Sequence, residues 1–325
     1  MMKADHYAAK AERIEAILDQ VEEGLKSCAL CGHRCGVDRL AGRAGMCRAG
    51  GDPRVARYSS HTRHFGEEPM LVGRGGSGTV FFTCCNLRCV FCQNHQISQE
   101  GLGTEIDTDA LADIFLELEA GGAENINLVT PTHGIYPILL SLRTAYKRGL
   151  AIPLVYNTNG YDSLELIEWL DGIVDVYLPD MKYMDEAKAV RYSAAEGYPG
   201  VAQRAIAAMY RQVGAVQLED GVAQRGLIIR HLVLPNDLAN SYDFLLWLKD
   251  AGLVGATVGI MSQYSPQYRA HEFVELNGRV RREEYRAIVD YAAELGFENI
   301  LAQGLDSHEA YLPDFRRREP FREGY

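Results

Sequence analysis

Hydrophobic residues follow two alternating patterns from Thr79 to about residue 303. Short apolar runs rich in β-branched and aromatic residues predict buried strands. They alternate with stretches whose apolar residues recur every three or four positions, as in amphipathic helices. The predicted strands cover 79–84, 125–130, 152–157, 174–179, 226–234 and 256–261, with a candidate seventh at 298–303. The predicted helices lie near 108–120, 136–148, 163–171, 199–213, 240–250 and 281–295.

This alternation predicts the fold class. Nearly continuous apolar strands separated by helices are typical of a parallel sheet with helices packed on it. Six such units are too few to close an eight-stranded barrel. We therefore predict an α/β fold with an incomplete, parallel (β/α)6 TIM-like barrel over residues 79–305, followed by a C-terminal tail at 306–325.

The first 78 residues follow a different pattern. Residues 1–27 carry an amphipathic helix, because apolar side chains recur at helical spacing between charged ones. Residues 28–78 are interpreted as a cysteine-rich metal-binding module and a connector, whose proline- and glycine-rich part at 51–78 predicts irregular structure. The His and Glu side chains of that part are interpreted as hydrogen-bonded structure: His61, His64, Glu67 and Glu68.

Composition and charge exclude several classes of function. The chain has 325 residues and a net charge of −11, which argues against a general nucleic-acid or membrane-surface binder. No apolar stretch approaches the roughly 18 residues of a membrane span. The polar N-terminus has no apolar signal core. We expect a cytoplasmic protein with neither nucleic acid nor membrane as partner.

All eight cysteines lie within the first 92 residues, in two clusters. In a reducing compartment such clusters are typical of metal sites rather than disulfides. The first cluster has Cys28, Cys31 and Cys35 close together and Cys47 further along, here called the module cysteines. Four thiolates with this spacing fit either an auxiliary [4Fe–4S] cluster or structural zinc. The sequence therefore predicts a metal site but leaves its metal open.

The second cluster is Cys85, Cys89 and Cys92, here called the loop cysteines, which directly follows the strand at 79–84. A [4Fe–4S] cluster normally takes four thiolates, so three leave one iron open. An open coordination position is typical of a catalytic metal site. Cys84 is an alternative first ligand, because Cys84, Cys89 and Cys92 have the C-x4-C-x2-C spacing of plant-type ferredoxins.

Polar residues follow several of the other strands, where the active sites of parallel α/β barrels lie. Thr130 and Thr132 offer acceptors for an ammonium group, and Asn157 can hydrogen-bond a ribose or a carboxylate. Asp180 and Lys182 are two residues apart, so they point the same way in an extended segment. Their alternative interpretation is a surface ion pair.

Arg230 lies among aliphatic residues of the strand at 226–234. Burying an unpaired guanidinium is costly, so an anionic partner with two oxygens is expected. Since this strand also ends near the cysteine loop in the predicted barrel, the partner could be a bound carboxylate.

The C-x3-C-x2-C spacing, with Phe91 just before the last cysteine, resembles the radical S-adenosylmethionine (SAM) superfamily. Several further segments occur in the same order as in its pyruvate formate-lyase activating enzyme-like subgroup with an N-terminal cysteine module. They are Phe65–Pro69, Gly75–Thr79, Cys85–Cys92, Asn127–His133, Leu178–Tyr183 and Arg230–Pro235.

The resemblance implies the cofactors and their ligands. The loop cysteines, with Cys85 rather than Cys84 as the first, would hold a [4Fe–4S] cluster whose open iron binds SAM. Asp180 and Lys182 would contact SAM and a substrate peptide, and Arg230 the SAM carboxylate. The usual Gly-Gly-Glu-like loop is replaced here by Thr130-Pro131-Thr132. An external one-electron reductant of the flavodoxin or ferredoxin type is also implied.

The expected function is thus reductive cleavage of SAM to a 5′-deoxyadenosyl radical that abstracts hydrogen, with activation of a glycyl-radical enzyme as one outcome. An alternative is the modification of another protein, a peptide or a small molecule. A hypothesis of a different class is a non-catalytic zinc or iron–sulfur protein for electron transfer or interaction. That hypothesis requires a protein ligand, such as Cys84, at the fourth position.

Overall fold

The structure is a computed structural model that describes residues 3–305, 312–317 and 319–321. Ten strands of this part form one mixed sheet. They are β1 (Ala56–His64), β2 (Ser77–Phe82), β3 (Thr104–Ile106), β4 (Ile126–Val129), β5 (Leu154–Thr158), β6 (Val176–Pro179), β7 (Gln217–Glu219), β8 (Val222–Leu232), β9 (Thr257–Met261) and β10 (Ile300–Ala302).

The α-helices lie before, between and after these strands. They are α1 (Lys3–Leu25), α2 (Pro69–Val72), α3 (His95–Ser98), α4 (Thr108–Ala120), α5 (Ile135–Lys147), α6 (Leu164–Trp169), α7 (Glu186–Ser193), α8 (Tyr198–Val213), α9 (Ser241–Asp250) and α10 (Arg282–Glu294). Short 3-10 turns lie at Thr132–Gly134, Pro235–Asp237, Ala270–Glu272 and Val274–Leu276. Among the helices described, none is long and apolar enough to cross a membrane.

The strand order is β10-β9-β8-β6-β5-β4-β2-β1-β3, with β7 paired to β8. Every neighbouring pair from β2 to β10 along this order is parallel, whereas β1 pairs antiparallel with β2 and with β3. The predicted α/β fold with a mostly parallel sheet is confirmed, including the seventh parallel strand. The sheet is open, and its arrangement is consistent with a partial barrel.

The prediction of irregular structure over 51–78 is wrong, because this segment contains β1 and α2. The sequence of β1, ARYSSHTRH, has no apolar run, and only Ala56 of the strand is buried. A strand near the edge of a sheet buries little, so hydrophobicity does not reveal it. β3, β7 and α7 were also not predicted; two of them are three-residue strands.

Helix α1 packs on α5 and is tied to the sheet by a buried ion pair. The ammonium of Lys10 contacts a carboxylate oxygen of Asp175, and Nε2 of His6 lies 3.2 Å from the other oxygen. Asp175 also accepts a hydrogen bond of 2.7 Å from the backbone of Leu154, the first residue of β5. The helix predicted at the N-terminus is therefore an integral part of the packed core.

The described part of the predicted C-terminal tail packs against β2 and α3. Phe315 is buried and packs with Phe81 of β2 and Ile97 of α3. The ring of Phe321 lies 5.6 Å from that of Phe81. The tail at 306–325 otherwise falls partly outside the described residues.

Candidate functional site

A cavity of about 660 Å³ lies at the carboxyl ends of the parallel strands. Its volume is within the range of small-molecule sites. Most of the residues predicted for the site line it: Cys85, Cys89, Phe91, Cys92, Thr130, Asn157, Asp180, Lys182 and Arg230. These side chains follow the carboxyl ends of different strands and lie together at one edge of the sheet, as predicted for parallel strands.

The cysteine loop is held by hydrogen bonds to α7. The backbone amide of Arg88 donates to the carbonyl of Ser193 at 2.9 Å, and that of Val90 donates to Tyr192 at 2.8 Å. Leu87, a residue of the loop itself, is completely buried. Helix α7, which the sequence analysis missed, thus fixes the position of the three sulfur atoms.

Each loop sulfur has a hydrogen-bond partner. The amide of Leu87 donates to Cys85 Sγ at 3.3 Å, and the hydroxyl of Ser193 donates to Cys89 Sγ at 3.1 Å. Cys92 Sγ lies 3.1 Å from the hydroxyl oxygen of Ser98. Hydrogen bonds to ligating sulfurs are a normal feature of iron–sulfur sites. The loop therefore fits a bound iron–sulfur cluster.

Burial raises the pKa of Cys85 to about 12 and that of Cys92 to about 11. It also raises the pKa of Cys89, although Lys182 opposes this change. Without a metal these thiols would be protonated at neutral pH. Coordination to iron would hold them as thiolates, because metal ligation competes directly with protonation.

Cys84 is separated from the loop cysteines by its backbone conformation. Its φ is 79°, a left-handed value that turns the chain at the end of β2. Its side chain is buried against Cys47 and Ala49 and does not line the large cavity. This placement favours Cys85 as the ligand and leaves Cys84 as a small buried residue at the end of β2.

Asp180 and Lys182 point the same way, and their charged atoms are 2.6 Å apart. The pair lies inside the cavity, so the alternative of a surface ion pair does not describe it. Burial disfavours the ammonium, but Asp180 and Cys89 hold the pKa of Lys182 above its usual range. Lys182 is therefore a cation beside the sulfur atoms of the loop.

Arg230 has a different partner from the one expected. Its Nε donates to Glu68 at 2.6 Å, one terminal nitrogen donates to the other Glu68 oxygen at 2.7 Å, and the same nitrogen contacts Glu67. The bidentate anion inferred from sequence is thus a carboxylate of the chain itself. Despite burial, the two carboxylates raise the pKa of Arg230.

The interpretation of Glu67 and Glu68 as ordinary loop structure therefore missed part of the site. Together with His64 they form one wall of the cavity. The sequence did contain a signal for their role, since a buried Arg needs a carboxylate partner. Glu67 and Glu68 directly precede α2, which packs on β8, the strand that carries Arg230. Burial lowers the pKa of His64, which favours its neutral form.

Thr130 lines the cavity. Its φ is 58°, and its backbone amide donates a hydrogen bond of 2.9 Å to the carbonyl of Asn157. Thr132 does not line the cavity. Its hydroxyl donates to Asp162 at 2.7 Å, and it lies at a second, smaller cavity instead. The 3-10 turn that begins at Thr132 accounts for this difference, because an extended loop would have kept both threonines on the site.

Three glutamines, Gln93, Gln263 and Gln303, form an amide network on the wall of the large cavity. Gln93 donates to the carbonyl of Gln263 at 3.0 Å, and Gln303 donates to the side chain of Gln263 at 2.8 Å. Phe321 of the tail also lines the cavity. The hydrophobic pattern does not predict these positions, because they lie in loops or just after strands.

All four module cysteines line the second cavity, which measures about 20 Å³. The amide of Met46 donates to Cys35 Sγ at 3.4 Å, and Arg39 donates to Cys47 Sγ at 3.6 Å. Gly45 is required there, because a Cβ would lie 2.8 Å from Cys35 Sγ. His133 also lines this cavity, and its buried Nδ1 has no hydrogen-bond partner within the described residues. These donors and the close backbone approach fit a bound metal.

In the part of the chain that the structure describes, no three His, Cys, Asp or Glu side chains form a group that could hold a single metal ion. An iron–sulfur cube does not need such convergence, since each thiolate binds its own iron. The two cysteine sites are packed against each other. Nε2 of His33 donates to the carbonyl of Asn86 at 2.7 Å, and Asn86 itself lines the smaller cavity.

The open, mostly parallel sheet, with a cysteine-lined cavity at its strand ends, is consistent with the partial barrel of an α/β enzyme. The model of the radical SAM superfamily matches residues 79–209. Uncharacterized protein MJ0674 of Methanocaldococcus jannaschii is 32% identical over 284 residues, which cover 85% of this chain and 77% of that protein. The chain belongs to the radical SAM superfamily and is a radical SAM enzyme.

Solved structures with a similar arrangement include SuiB of Streptococcus suis bound to precursor peptide SuiA, with 12% identity and a TM-score of 0.48. The match covers 71% of this chain and 49% of SuiB, so the chain spans about half the length of that protein. TYW1 with a lysine-pyruvate adduct has 12% identity and a TM-score of 0.45, and the match covers 71% of this chain and 78% of TYW1.

Proposed function

We propose that the loop cysteines hold a [4Fe–4S] cluster and that SAM binds beside it in the large cavity. The observation that carries this proposal is the convergence of three hydrogen-bonded sulfurs with Lys182 and Asp180 on one cavity. When bound, the cluster and SAM supply a 5′-deoxyadenosyl radical that abstracts hydrogen from a substrate. Family membership supports both cofactors.

The residues of the chain would position SAM and exclude water. Lys182 is a cation suited to a carboxylate, and Asp180 accepts hydrogen bonds from ribose hydroxyls. Thr130 and Asn157 supply further acceptors at the same strand ends. Arg230 is engaged by Glu67 and Glu68, so we assign it to holding the cavity wall rather than to the SAM carboxylate. Phe91 packs against Tyr264 and excludes water beneath the loop, with ring centres 5.8 Å apart.

We further propose activation of a glycyl-radical enzyme as the reaction, on the strength of the ordered segments shared with activating enzymes. The module cysteines would hold a second metal centre, an auxiliary [4Fe–4S] cluster, with structural zinc as the alternative. Analysis of iron, sulfide and zinc in a variant that lacks the loop cysteines distinguishes the two metals. A flavodoxin or ferredoxin would supply the electron.

Anaerobic reconstitution tests the cofactor proposal. We expect the EPR spectrum of the reduced protein to change when SAM is added, and 5′-deoxyadenosine to form. Cys89→Ala should abolish both, whereas Cys84→Ala should retain both. A spectrum indifferent to SAM, with no 5′-deoxyadenosine, would support a non-catalytic iron–sulfur protein instead. Loss of activity in Cys84→Ala together with activity in Cys85→Ala would overturn the ligand assignment.

A further inference from the structure

Asn86 lies between the two sulfur sites. It belongs to the cysteine loop, where it directly follows Cys85, yet it lines the small cavity of the module cysteines and not the large one. The residue is buried. Its backbone carbonyl is held from the module, since Nε2 of His33 donates to it at 2.7 Å. One residue of the loop is therefore shared by both sites.

On the loop side, Asn86 acts on Cys85 through a second amide. Nδ2 of Asn159 donates to Oδ1 of Asn86 at 2.6 Å and to Cys85 Sγ at 3.5 Å. An amide nitrogen carries two hydrogens, so Asn159 serves both acceptors at once. Oδ1 of Asn86 is itself 3.8 Å from Cys85 Sγ, which places the three groups together. Asn86 thus orients the amide that donates to this sulfur.

On the module side, the nitrogen of the same carboxamide faces acceptors. Nδ2 of Asn86 donates to the carbonyl of Tyr161 at 3.4 Å. Burial raises the pKa of Cys31 to about 12, and hydrogen bonds from the backbone of His33 and the side chain of Asn86 oppose this change. Because Oδ1 already serves the loop side, Nδ2 is the atom suited to a thiolate here. The carboxamide therefore contacts a sulfur of each site.

The orientation of this carboxamide links the two sides. A metal at the module would hold Cys31 as a thiolate, which accepts hydrogen bonds and cannot donate them. The thiolate and the carbonyl of Tyr161 then both require Nδ2 on their side, which keeps Oδ1 directed toward Asn159. A Cys31 thiol has no such preference, because its hydrogen can also point to an oxygen. Metal at the module therefore decides how firmly a donor is held at Cys85.

We propose that Asn86 is a positioning residue that couples the two sites, so that the reduction potential of the loop cluster depends on metal at the module cysteines. Hydrogen bonds to the ligating sulfurs tune the potential of a cluster. They favour the reduced form, because its sulfurs carry more negative charge. The loop cluster is therefore easier to reduce when the module site is filled. This inference rests on the proposed function, because it requires a cluster at the loop and a metal at the module.

A double-mutant cycle tests the coupling. The reduction potential of the loop cluster is measured by EPR-monitored titration, and its signal is identified by its response to SAM. The effect of Cys31→Ala is measured in the unmodified protein, in Asn86→Asp and in Asn125→Asp. Asn86→Asp keeps the shape and the oxygen that accepts from Asn159 but loses the nitrogen that faces Cys31. Asn125 is the control, an equally buried amide that bonds Ser77 at the amino ends of the strands.

In the unmodified and Asn125→Asp backgrounds, we expect Cys31→Ala to lower the equilibrium constant for one-electron reduction about tenfold, a potential about 59 mV more negative. This effect should disappear in Asn86→Asp and in a second test background, Asn159→Leu, which lacks the donor to Cys85.

Two results would overturn the proposal. One is an equal effect of Cys31→Ala in all four backgrounds. The other is a less negative potential in Cys31→Ala, which is expected if the module centre acted only through its negative charge. A loop cluster that fails to form in the unmodified protein, or a module without metal there, would instead refute the proposed function, and the coupling with it.

Discussion

Replacement of Arg230 by Met should destabilise the fold more than it weakens SAM binding. The side chain of Arg230 is 16% exposed, and its partners Glu67 and Glu68 are 8% and 9% exposed. Removing one member of a buried ion pair leaves an uncompensated charge, which costs about 3–5 kcal/mol. Here two carboxylates lose their common cation, so the upper part of that range is expected.

The measurement is denaturant-induced unfolding of the anaerobically reconstituted protein, with SAM affinity determined on the same samples. Arg148→Met is a matched control, because Arg148 forms an ion pair of 2.6 Å with Asp113 at side-chain exposures of 47% and 64%. An exposed pair of this kind contributes less than about 1 kcal/mol. The contrast between the two variants isolates the effect of burial.

A triple variant with Arg230→Met, Glu67→Gln and Glu68→Gln gives a second check. Replacing a whole buried charge cluster by neutral groups costs less than removing one partner. We expect the triple variant to be more stable than Arg230→Met alone. If Arg230→Met unfolds within about 1 kcal/mol of the unmodified protein and the Kd for SAM rises more than about tenfold, Arg230 acts on the cofactor and our assignment is refuted.

Lys10→Met should cost about 3–5 kcal/mol in denaturant unfolding, because the carboxylate of Asp175 is left buried without its cation. Burial alone would raise the pKa of Asp175, but Lys10 and His6 lower it, so the stabilisation is present above the unfolded pKa. The penalty should therefore shrink below about pH 4; a pH-independent penalty contradicts this reasoning. Ser193→Ala removes the hydroxyl that donates to Cys89 and should make the reduction potential of the loop cluster more negative in an EPR-monitored titration. Ser141→Ala, whose hydroxyl bonds a helix carbonyl elsewhere, should leave the potential unchanged.

The parallel strands could be predicted because they are buried on both faces. All six residues of β2 and all five of β5 are buried, and each strand contains an uninterrupted apolar run, Val80-Phe81-Phe82 in β2 and Leu154-Val155-Tyr156 in β5. In a parallel sheet the carboxyl ends of all strands lie at the same edge. The order of strands and helices is therefore enough to predict which residues meet there. This is why Asp180 and Lys182, which are far from the cysteine loop in sequence, were expected at the same cavity.

The partners of charged residues could not be predicted in the same way. Burial among aliphatic residues shows that Arg230 needs an anion, but it does not show which one. Glu68 is 162 residues away in sequence, on a segment whose polar pattern indicated a loop. Helix α7 is short and mostly polar, so the hydrophobic pattern does not predict it. It holds the cysteine loop through backbone hydrogen bonds, which any residue can form and which the sequence therefore does not reveal.

The N-terminal region and the partial barrel depend on each other through distinct physical contacts. Strand β1 covers the edge of β2, which would otherwise expose unpaired backbone groups beside the cysteine loop. Glu67 and Glu68 neutralise Arg230 on the opposite side of the same cavity. Cys31 forms a backbone bridge with Asp162, whose carboxylate in turn orders the strand-end hydroxyl of Thr158 at 2.5 Å. The residues before the barrel thus contribute to the walls of the large cavity, and a metal bound by the module cysteines would stiffen the same contacts that position the loop sulfurs.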